Sequence, residues 1–313
     1  PYIDELLKTR IKKQELRIKN IDYFLIPNLS FISISPKTPY IAVCHDLSFE
    51  IFPEFFTARQ RLWHGLINPQ RFYMQAERII AVSENTKQDL IDLYKIDESR
   101  IDVVYPGIDE SRFYPRRKNE TRAVREKYNL PESFILSVGT LEPRKNYETL
   151  LEAFDVMLTE NQSVETQHFA SLHLVIVGAE GWKYDRIYRF LNRMKRKSQV
   201  RFIFNVSRED LPAIYSVAQL FVYPSFYEGF GFPPLEAAAC GAPVITSHGS
   251  SLPEVMGNAA LYVDPFNVAD IARAMERLFC DAALRNTLRK AGIEQAKKFT
   301  WETTIQKITS DLS

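Results

Sequence analysis

The sequence predicts an α/β protein in two doubly wound domains, each a parallel sheet covered by helices. Three observations predict it. From residue 134 onward, short apolar runs alternate with helical patterns, as in parallel strands joined by crossover helices. The first part shows the same alternation on a smaller scale. The length of 313 residues, 45% hydrophobic and 25% charged, suffices for two cores of ordinary globular composition.

Strands in the first half are expected at 23–26, 40–45, 78–83 and 102–105, with helices at 5–19, 58–75 and 85–94. Ser83 or Asn85 is placed to cap the last of these. Four strands make a thin domain, and the chain opens at Pro1 inside a basic helical pattern. The first domain therefore reads as N-terminally incomplete. Residues 106–129 are polar, carry Pro115-Arg116-Arg117-Lys118, and read as a linker. In the second half, strands are expected at 134–139, 173–178, 200–204 and 220–224. Helices alternate with them at 147–158, 184–197 and 209–218, with a polar insertion at 161–171. A helix from Pro233, a strand from Pro243, a short helix near Pro253, a strand at 260–263 and helical stretches through 267–299 follow.

Bulk properties narrow the class. A net charge of +1 points neither toward nor away from nucleic acid. Cys44, Cys240 and Cys280 are widely spaced, which predicts a reducing compartment without a disulfide framework or zinc site. Cys44 and Cys240 lie in apolar runs and read as buried thiols. No run is long and apolar enough to span a bilayer, and no signal peptide is recognised.

The most informative stretch is Ser225-Phe-Tyr-Glu228-Gly229-Phe230-Gly231-Phe232-Pro233-Pro234-Leu-Glu236, continuing to Gly241-Ala-Pro-Val-Ile245. It reads as a strand, a glycine turn and a helix start, with a carboxylate on each side of the turn. Gly229 and Gly231 permit tight geometry and close ligand approach. Pro233 suits the first helical position, and Gly241 suits the helix end. Free N–H groups at such a start attract phosphate. Glu236 is expected in the first turn, where it also complements the helix dipole. Either glutamate alone would be unremarkable; the whole arrangement predicts a phosphate-bearing ligand.

A second constellation, Gly139-Thr140-Leu-Glu142-Pro-Arg144-Lys145-Asn146, also follows a strand and precedes a helix. Adjacent cations there suit a diphosphate whose negative charge grows during reaction. Cys44-His45-Asp46 ends a first-domain strand, and His45 reads equally as a structural hydrogen-bonding residue or a site residue. Residues 52–73 mix aromatics (Phe52, Phe55, Phe56, Trp63, Phe72, Tyr73) with Arg59, Arg61 and Arg71, next to the basic 5–19 helix. That mixture fits attachment to an anionic membrane surface or a packed helix with solvated charges.

Together, Gly139 to Asn146, Val177-Gly178, Glu228 to Glu236 and Gly241-Ala-Pro-Val244 resemble glycosyltransferase family 4. His45-Asp-Leu-Ser-Phe49, Ala81-Val-Ser83 and Val104-Tyr-Pro-Gly-Ile108 extend the likeness over residues 22–301. The resemblance implies a GT-B fold, with two Rossmann-like domains facing across a cleft. Residues 1–125 would form the acceptor-side domain, residues 126–298 the nucleotide-sugar domain, and residues 299–313 a helix crossing back. It implies catalytic roles for four residues. Glu228 would contact the donor sugar, Arg144 and Lys145 would clamp the diphosphate, and His45 would lie near the transferred sugar. It assigns donor binding to Glu236 on the ribose, to the N–H groups of Phe230, Gly231 and Phe232, to Gly139, and to Asn205 and Val206 near the base. Three departures accompany it. The family's first strand and glycine-rich loop are missing, Thr140 stands where some members carry arginine, and Asn205 stands where glycine is common.

The expected function is a retaining, metal-independent hexosyl transfer from a nucleoside diphosphate sugar to a saccharide or lipid-linked acceptor, in cell-surface polysaccharide or glycolipid synthesis. No cofactor is expected. GDP-mannose is the favoured donor, because the chain looks like the mannosyltransferase branch, and a UDP-sugar is the alternative. Expected partners are the nucleotide sugar, the acceptor and an anionic membrane, with no nucleic acid. The expected location is cytoplasmic, at the inner membrane face. The rival readings are a nucleotide-sugar epimerase of the same fold and a non-catalytic nucleotide-sugar-binding partner subunit. The first would need further acid–base carboxylates; the second sits poorly with Arg144, Lys145, Glu228 and Glu236 all in place.

Overall fold

The structure, a computed structural model, describes residues 24–29, 39–161 and 167–310. Among them are two all-parallel sheets. The first runs in the order β1 (Phe24–Ile26), β2 (Tyr40–Cys44), β3 (Arg78–Ala81), β4 (Ile101–Val103). The second contains β5 (Ser133–Val138), β6 (Leu172–Val177), β7 (Val200–Ile203), β8 (Leu220–Tyr223), β9 (Val244–Ser247) and β10 (Ala260–Val263), in the order β10-β9-β8-β5-β6-β7. Helices cover both faces of the second sheet, so β8 is buried throughout and β5 at every position but Ser133, with mostly apolar side chains. One face packs Phe134, Leu136 and Phe221 against the Phe232–Ala239 helix. The other packs Ile135, Leu174 and Val222 against the Tyr147–Glu160 and Val268–Cys280 helices.

The order of the second sheet places the site. Strands β5, β6 and β7 progress toward one edge, while β8, β9 and β10 progress toward the other. The reversal falls between β5 and β8, which pair through Ile135 with Leu220 and Leu136 with Phe221. At such a switch point the two following loops diverge and leave a crevice at the strands' carboxyl ends. Those loops carry Arg144 and Lys145 after β5, and Glu228 after β8.

Four expectations are corrected. The helix expected over 58–75 is two helices, Ala58–Ile67 and Pro69–Gln75. Asn68 adopts a left-handed conformation (φ 55°), and its side chain accepts from the Arg71 N–H. With proline next, the first helix cannot continue. Residues 106–129 are not merely a linker. Lys118–Lys127 is a helix that buries Thr121 and Val124 and packs on the Leu211–Val217 helix. The basic helix expected over 184–197 spans only Asp185–Leu191, because Met194 turns into the core and the Arg196 N–H bonds the Asp155 carboxylate. Finally, the helix after Gly231 begins at Phe232, so Glu236 falls beyond its first turn. The expected helix at 5–19 and residues 162–166 of the insertion lie outside the described residues.

The two halves touch closely. The Trp301–Ser310 helix lies on the first half: the Ile108 N–H donates to the Phe299 carbonyl (2.9 Å), and Thr304 Oγ1 donates to the Tyr105 carbonyl (2.8 Å). On the opposite side, Trp182 Nε1 donates to the Phe55 carbonyl (2.8 Å). No helix among the described residues is long and apolar enough to cross a membrane.

Candidate active site

The loop after β5 is held by Asn146. This residue takes a left-handed conformation (φ 59°) at the start of the Tyr147–Glu160 helix. Its buried amide donates to the Pro224 carbonyl (3.0 Å) and the Pro265 carbonyl (2.7 Å). The β5 loop is thereby tied to the β8 loop, and the turn before Asn146 presents Arg144 and Lys145 to Glu228.

These side chains form one buried ion cluster. Glu228 Oε2 pairs with Arg144 Nη1 at 2.7 Å, and Glu228 Oε1 with Lys145 Nζ at 2.6 Å. Oε1 also accepts from Ser225 Oγ (2.6 Å) and the Tyr223 hydroxyl (2.9 Å). Arg144 donates onward to Glu142 (2.8 Å) and the Tyr227 carbonyl (2.8 Å). Glu142 and Glu228 balance Arg144 and Lys145, so the buried cluster is neutral, which is the condition for burying charge at tolerable cost.

The titration directions follow. Burial alone would raise the Glu228 carboxyl, but Arg144 and Lys145 outweigh it and hold it down to about 2. The same contact does not lift Lys145: burial lowers its ammonium, and Glu228 offsets that only in part. The difference is one of partner number, since Glu228 has two cations whereas Lys145 has one contacting carboxylate and Arg144 beside it. Burial also raises Glu142, against Arg144 and Lys145. For Arg144, burial is outweighed by Glu228 and Glu142, so its guanidinium is held firmly charged.

The cluster borders a cleft of about 440 Å³ between the two halves. Its walls include His45, Asp46, Lys145, Glu228, Phe232 and Trp301. Gly229 is where the halves meet: a Cβ there would lie 1.7 Å from the His45 carbonyl oxygen. Gly231, at φ 103°, heads the helix without a capping side chain. Ser251 Oγ donates to the Glu228 carbonyl (2.8 Å), and the Glu228 N–H donates to Ser250 Oγ (3.0 Å), fixing the turn.

Lys145, Glu228, His45, Phe230, Gly231 and Phe232 thus converge on the cleft, and Arg144 joins them through Glu228 without lining it. Phe230 is buried against Tyr105 and Phe299, leaving its backbone as the part near the cleft, whereas Phe232 is exposed. The His45 ring is exposed, with Nε2 2.8 Å from the Pro27 carbonyl. Four expected donor-binding residues do not line this cleft. Glu236 is half-buried behind the helix start and accepts from the Tyr215 hydroxyl (3.0 Å); burial raises its carboxyl against that bond and Arg112. Gly139 packs backbone to backbone with Gly178, whose Cβ would meet the Gly139 oxygen at 1.9 Å. Asn205 and Val206 follow edge strand β7. Asn205 sits at φ 57°, which explains how asparagine serves where glycine is common.

A larger cleft, about 740 Å³, lies beyond Glu142 and is lined by Glu54, Asn146, Glu148 and Arg186 among others. It lacks the convergence of Lys145, Glu228 and the helix start, so size does not select it. The sequence reading missed Tyr223, Ser225 and Glu142 as parts of the cluster. Tyr223 hides in an apolar strand. Ser225 and Glu142 lie within the motifs already singled out and carry polar atoms that burial obliges to pair.

Comparisons with known proteins show the family and the fold. The family described as "Glycosyl transferases group 1" matches residues 119–295, and "Glycosyltransferase Family 4" matches residues 9–112. The O-antigen chain mannosyltransferase B of Escherichia coli is 35% identical over 263 residues, covering 84% of this chain and 67% of that protein. The serotype-specific mannosyltransferase WbdA of Escherichia coli is 32% identical over 84% of this chain, which spans 32% of that longer protein. The Anabaena HepE structure in complex with UDP-glucose superposes with a TM-score of 0.73 at 19% identity, covering 88% of this chain and 72% of its own. At that identity it speaks for the GT-B fold alone.

Proposed function

Because the chain belongs to glycosyltransferase family 4, group 1, we propose that it transfers a hexose from a nucleoside diphosphate sugar to a saccharide or lipid-linked acceptor in surface polysaccharide synthesis. We assign the reaction as retaining and independent of a divalent ion, with mannose as the sugar and GDP-mannose as the donor. The supporting observation is the switch-point cluster, with Glu228 bracketed by Arg144 and Lys145 at the mouth of an interdomain cleft. The likeness to mannosyltransferases supports the choice of sugar.

In this reading the donor's diphosphate lies between Lys145 and the helix start at Gly231. Lys145 Nζ has three donors, of which Glu228 and Tyr223 take two. The third remains for a phosphate oxygen. As the bond from sugar to phosphate lengthens, negative charge grows on the leaving group and oxocarbenium-like charge on the sugar. Lys145, Arg144 and the N–H groups of Phe230 to Phe232 stabilise the first with preorganised charge. Glu228 steadies both cations and offers Oε2 to a sugar hydroxyl. Glu236 holds the ribose, Gly139 gives the chain room beside it, and Asn205 and Val206 border the base. His45 borders the transferred sugar. The first half is the acceptor side, the second half is the donor side and takes in the Lys118–Lys127 helix rather than starting at 126, and residues 299–313 are the returning helix.

The acceptor would be met at the inner face of a membrane. The Ala58–Ile67 helix buries none of its residues; Leu62 and Leu66 are each 65% exposed, beside Arg59 and Arg61. That face suits an anionic lipid surface.

The test is a panel of nucleotide sugars scored by thermal shift, then by acceptor-dependent turnover. GDP-mannose should stabilise most, in proportion to the logarithm of its concentration. A preference for UDP-sugars would overturn the mannose assignment, and unchanged turnover in Lys145→Ala and Glu228→Ala would overturn the site.

A further inference from the structure

Besides Thr86 Oγ1, which donates to the Gly229 carbonyl (3.4 Å), two contacts cross from the second half to one helix of the first, Glu84–Tyr94, and both lead back to Glu228. The first runs through Tyr227, the residue before Glu228. Its hydroxyl donates to Asp89, and Asn85 Nδ2 donates to the same Asp89 oxygen (2.9 Å). The Tyr227 carbonyl accepts from Arg144 Nη1 (2.8 Å). The second runs through Glu254. Its carboxylate accepts the N–H groups of Glu84 (2.6 Å) and Asn85 (3.3 Å), and the Tyr105 hydroxyl. Glu254 belongs to the Leu252–Met256 helix, which directly follows Ser250 and Ser251. Those two serines grip the N–H and carbonyl of Glu228.

The helix begins at Ser83, which caps the Thr86 N–H itself. A helix leaves its first N–H groups without intrahelical partners. Here the two before Thr86, of Glu84 and Asn85, are satisfied by a carboxylate from the other half of the molecule, placed at the positive end of the helix dipole. Neither the Tyr227 hydroxyl nor the Glu254 carboxylate touches the ion cluster, yet both bond the first half, Tyr227 adjoins Glu228 in the chain, and Glu254 follows the two serines that grip it.

We propose that Tyr227 and Glu254 are positioning residues that make the docking of the Glu84–Tyr94 helix set the geometry of the Glu228–Arg144 pair. When both contacts hold, Glu228 and Arg144 are aligned and His45 is brought over the cleft. When they part, the second half keeps its donor-binding groups but loses alignment with the acceptor side. The latch therefore governs turnover rather than donor affinity, a prediction that rests on the glycosyltransferase reading above.

The test uses the full chain with Tyr227→Phe, Glu254→Gln and the double variant. Each single change should lower kcat by about tenfold, the loss of one hydrogen bond to a charged group. The donor Kd should stay within about twofold, and the fraction of donor lost to water rather than acceptor should rise. Glu254→Asp should recover part of the loss. The double variant should lose less than the product of the singles, because both act on one docking step. A loss confined to donor Kd, or a kcat unchanged in both singles, overturns the proposal. Amide hydrogen exchange decides it without turnover. Exchange at Glu84 and Asn85 should quicken in Glu254→Gln at unchanged melting temperature, and unchanged exchange there also overturns it. If the parent protein turns over no nucleotide sugar, the functional reading fails, and exchange alone still judges the latch.

Discussion

Replacing Glu228 by glutamine removes one negative charge from a buried, neutral cluster and leaves Arg144 and Lys145 with Glu142 alone. The magnitude follows from titration. In the folded protein the Glu228 carboxyl lies near about 2, against 4.5 for an unperturbed glutamate. That difference corresponds to about 3 kcal/mol of stability at neutral pH. Breaking a buried ion pair by removing one partner costs about 3–5 kcal/mol, the same range. The sign is that of a depressed acid. The contribution is complete above the unfolded value of 4.5 and is lost as pH falls from there through about 2. Urea unfolding of parent and Glu228→Gln at pH 7 should therefore differ by about 3 kcal/mol, or roughly 6–12 °C in melting temperature. At pH 3.5 the gap should narrow by roughly 1 kcal/mol, since every other carboxylate is common to both proteins and cancels. Equal stability at pH 7, or a gap unchanged at pH 3.5, would refute the cluster as the seat of that charge.

Three further outcomes follow from the same geometry. Lys145→Met should lower turnover by about 10²-fold or more, as removal of a preorganised charge from a leaving group does, read by steady-state kinetics with donor binding monitored separately. Gly229→Ala would drive a methyl into the His45 carbonyl; we expect acceptor-dependent turnover to collapse while nucleotide still raises the melting temperature, and a fully active variant would mean that the halves do not meet there. Glu236→Gln should stabilise the protein while weakening donor binding by about tenfold. Burial raises the Glu236 carboxyl, so its ionised form costs stability at neutral pH, a cost relieved as pH falls through the raised value. Calorimetry of unfolding and donor titration would show both effects, and a variant less stable than the parent at pH 7 would contradict that account.

Much of the second half was legible because its local rules agree. Apolar strands of the right length, glycines at Gly229 and Gly231, proline near the helix start and Gly241 at the helix end (φ 79°) each point to the same strand–turn–helix. The breaks at Asn68 and after Leu191 were less legible. Helical periodicity continues through both, and what ends the helices is a left-handed asparagine in one case and the pull of Met194 into the core in the other. The Lys118–Lys127 helix was hidden by its polarity, since only Thr121 and Val124 face inward.

The sequence by itself determined the family, the parallel α/β architecture and most of the residues at the cleft, because those are written as residue types at fixed spacing. It separated Arg144 and Lys145 from Glu228, giving the cations to a diphosphate and the glutamate to a sugar. Only the tertiary structure decided that the three, together with Glu142, form one neutral unit. The reversal of strand order between β5 and β8 places the two loops side by side, and burial then obliges each charge to find the other. Tertiary structure alone also brought the Glu84–Tyr94 helix under Glu254, since no spacing in a chain records which helix end a distant carboxylate will cap.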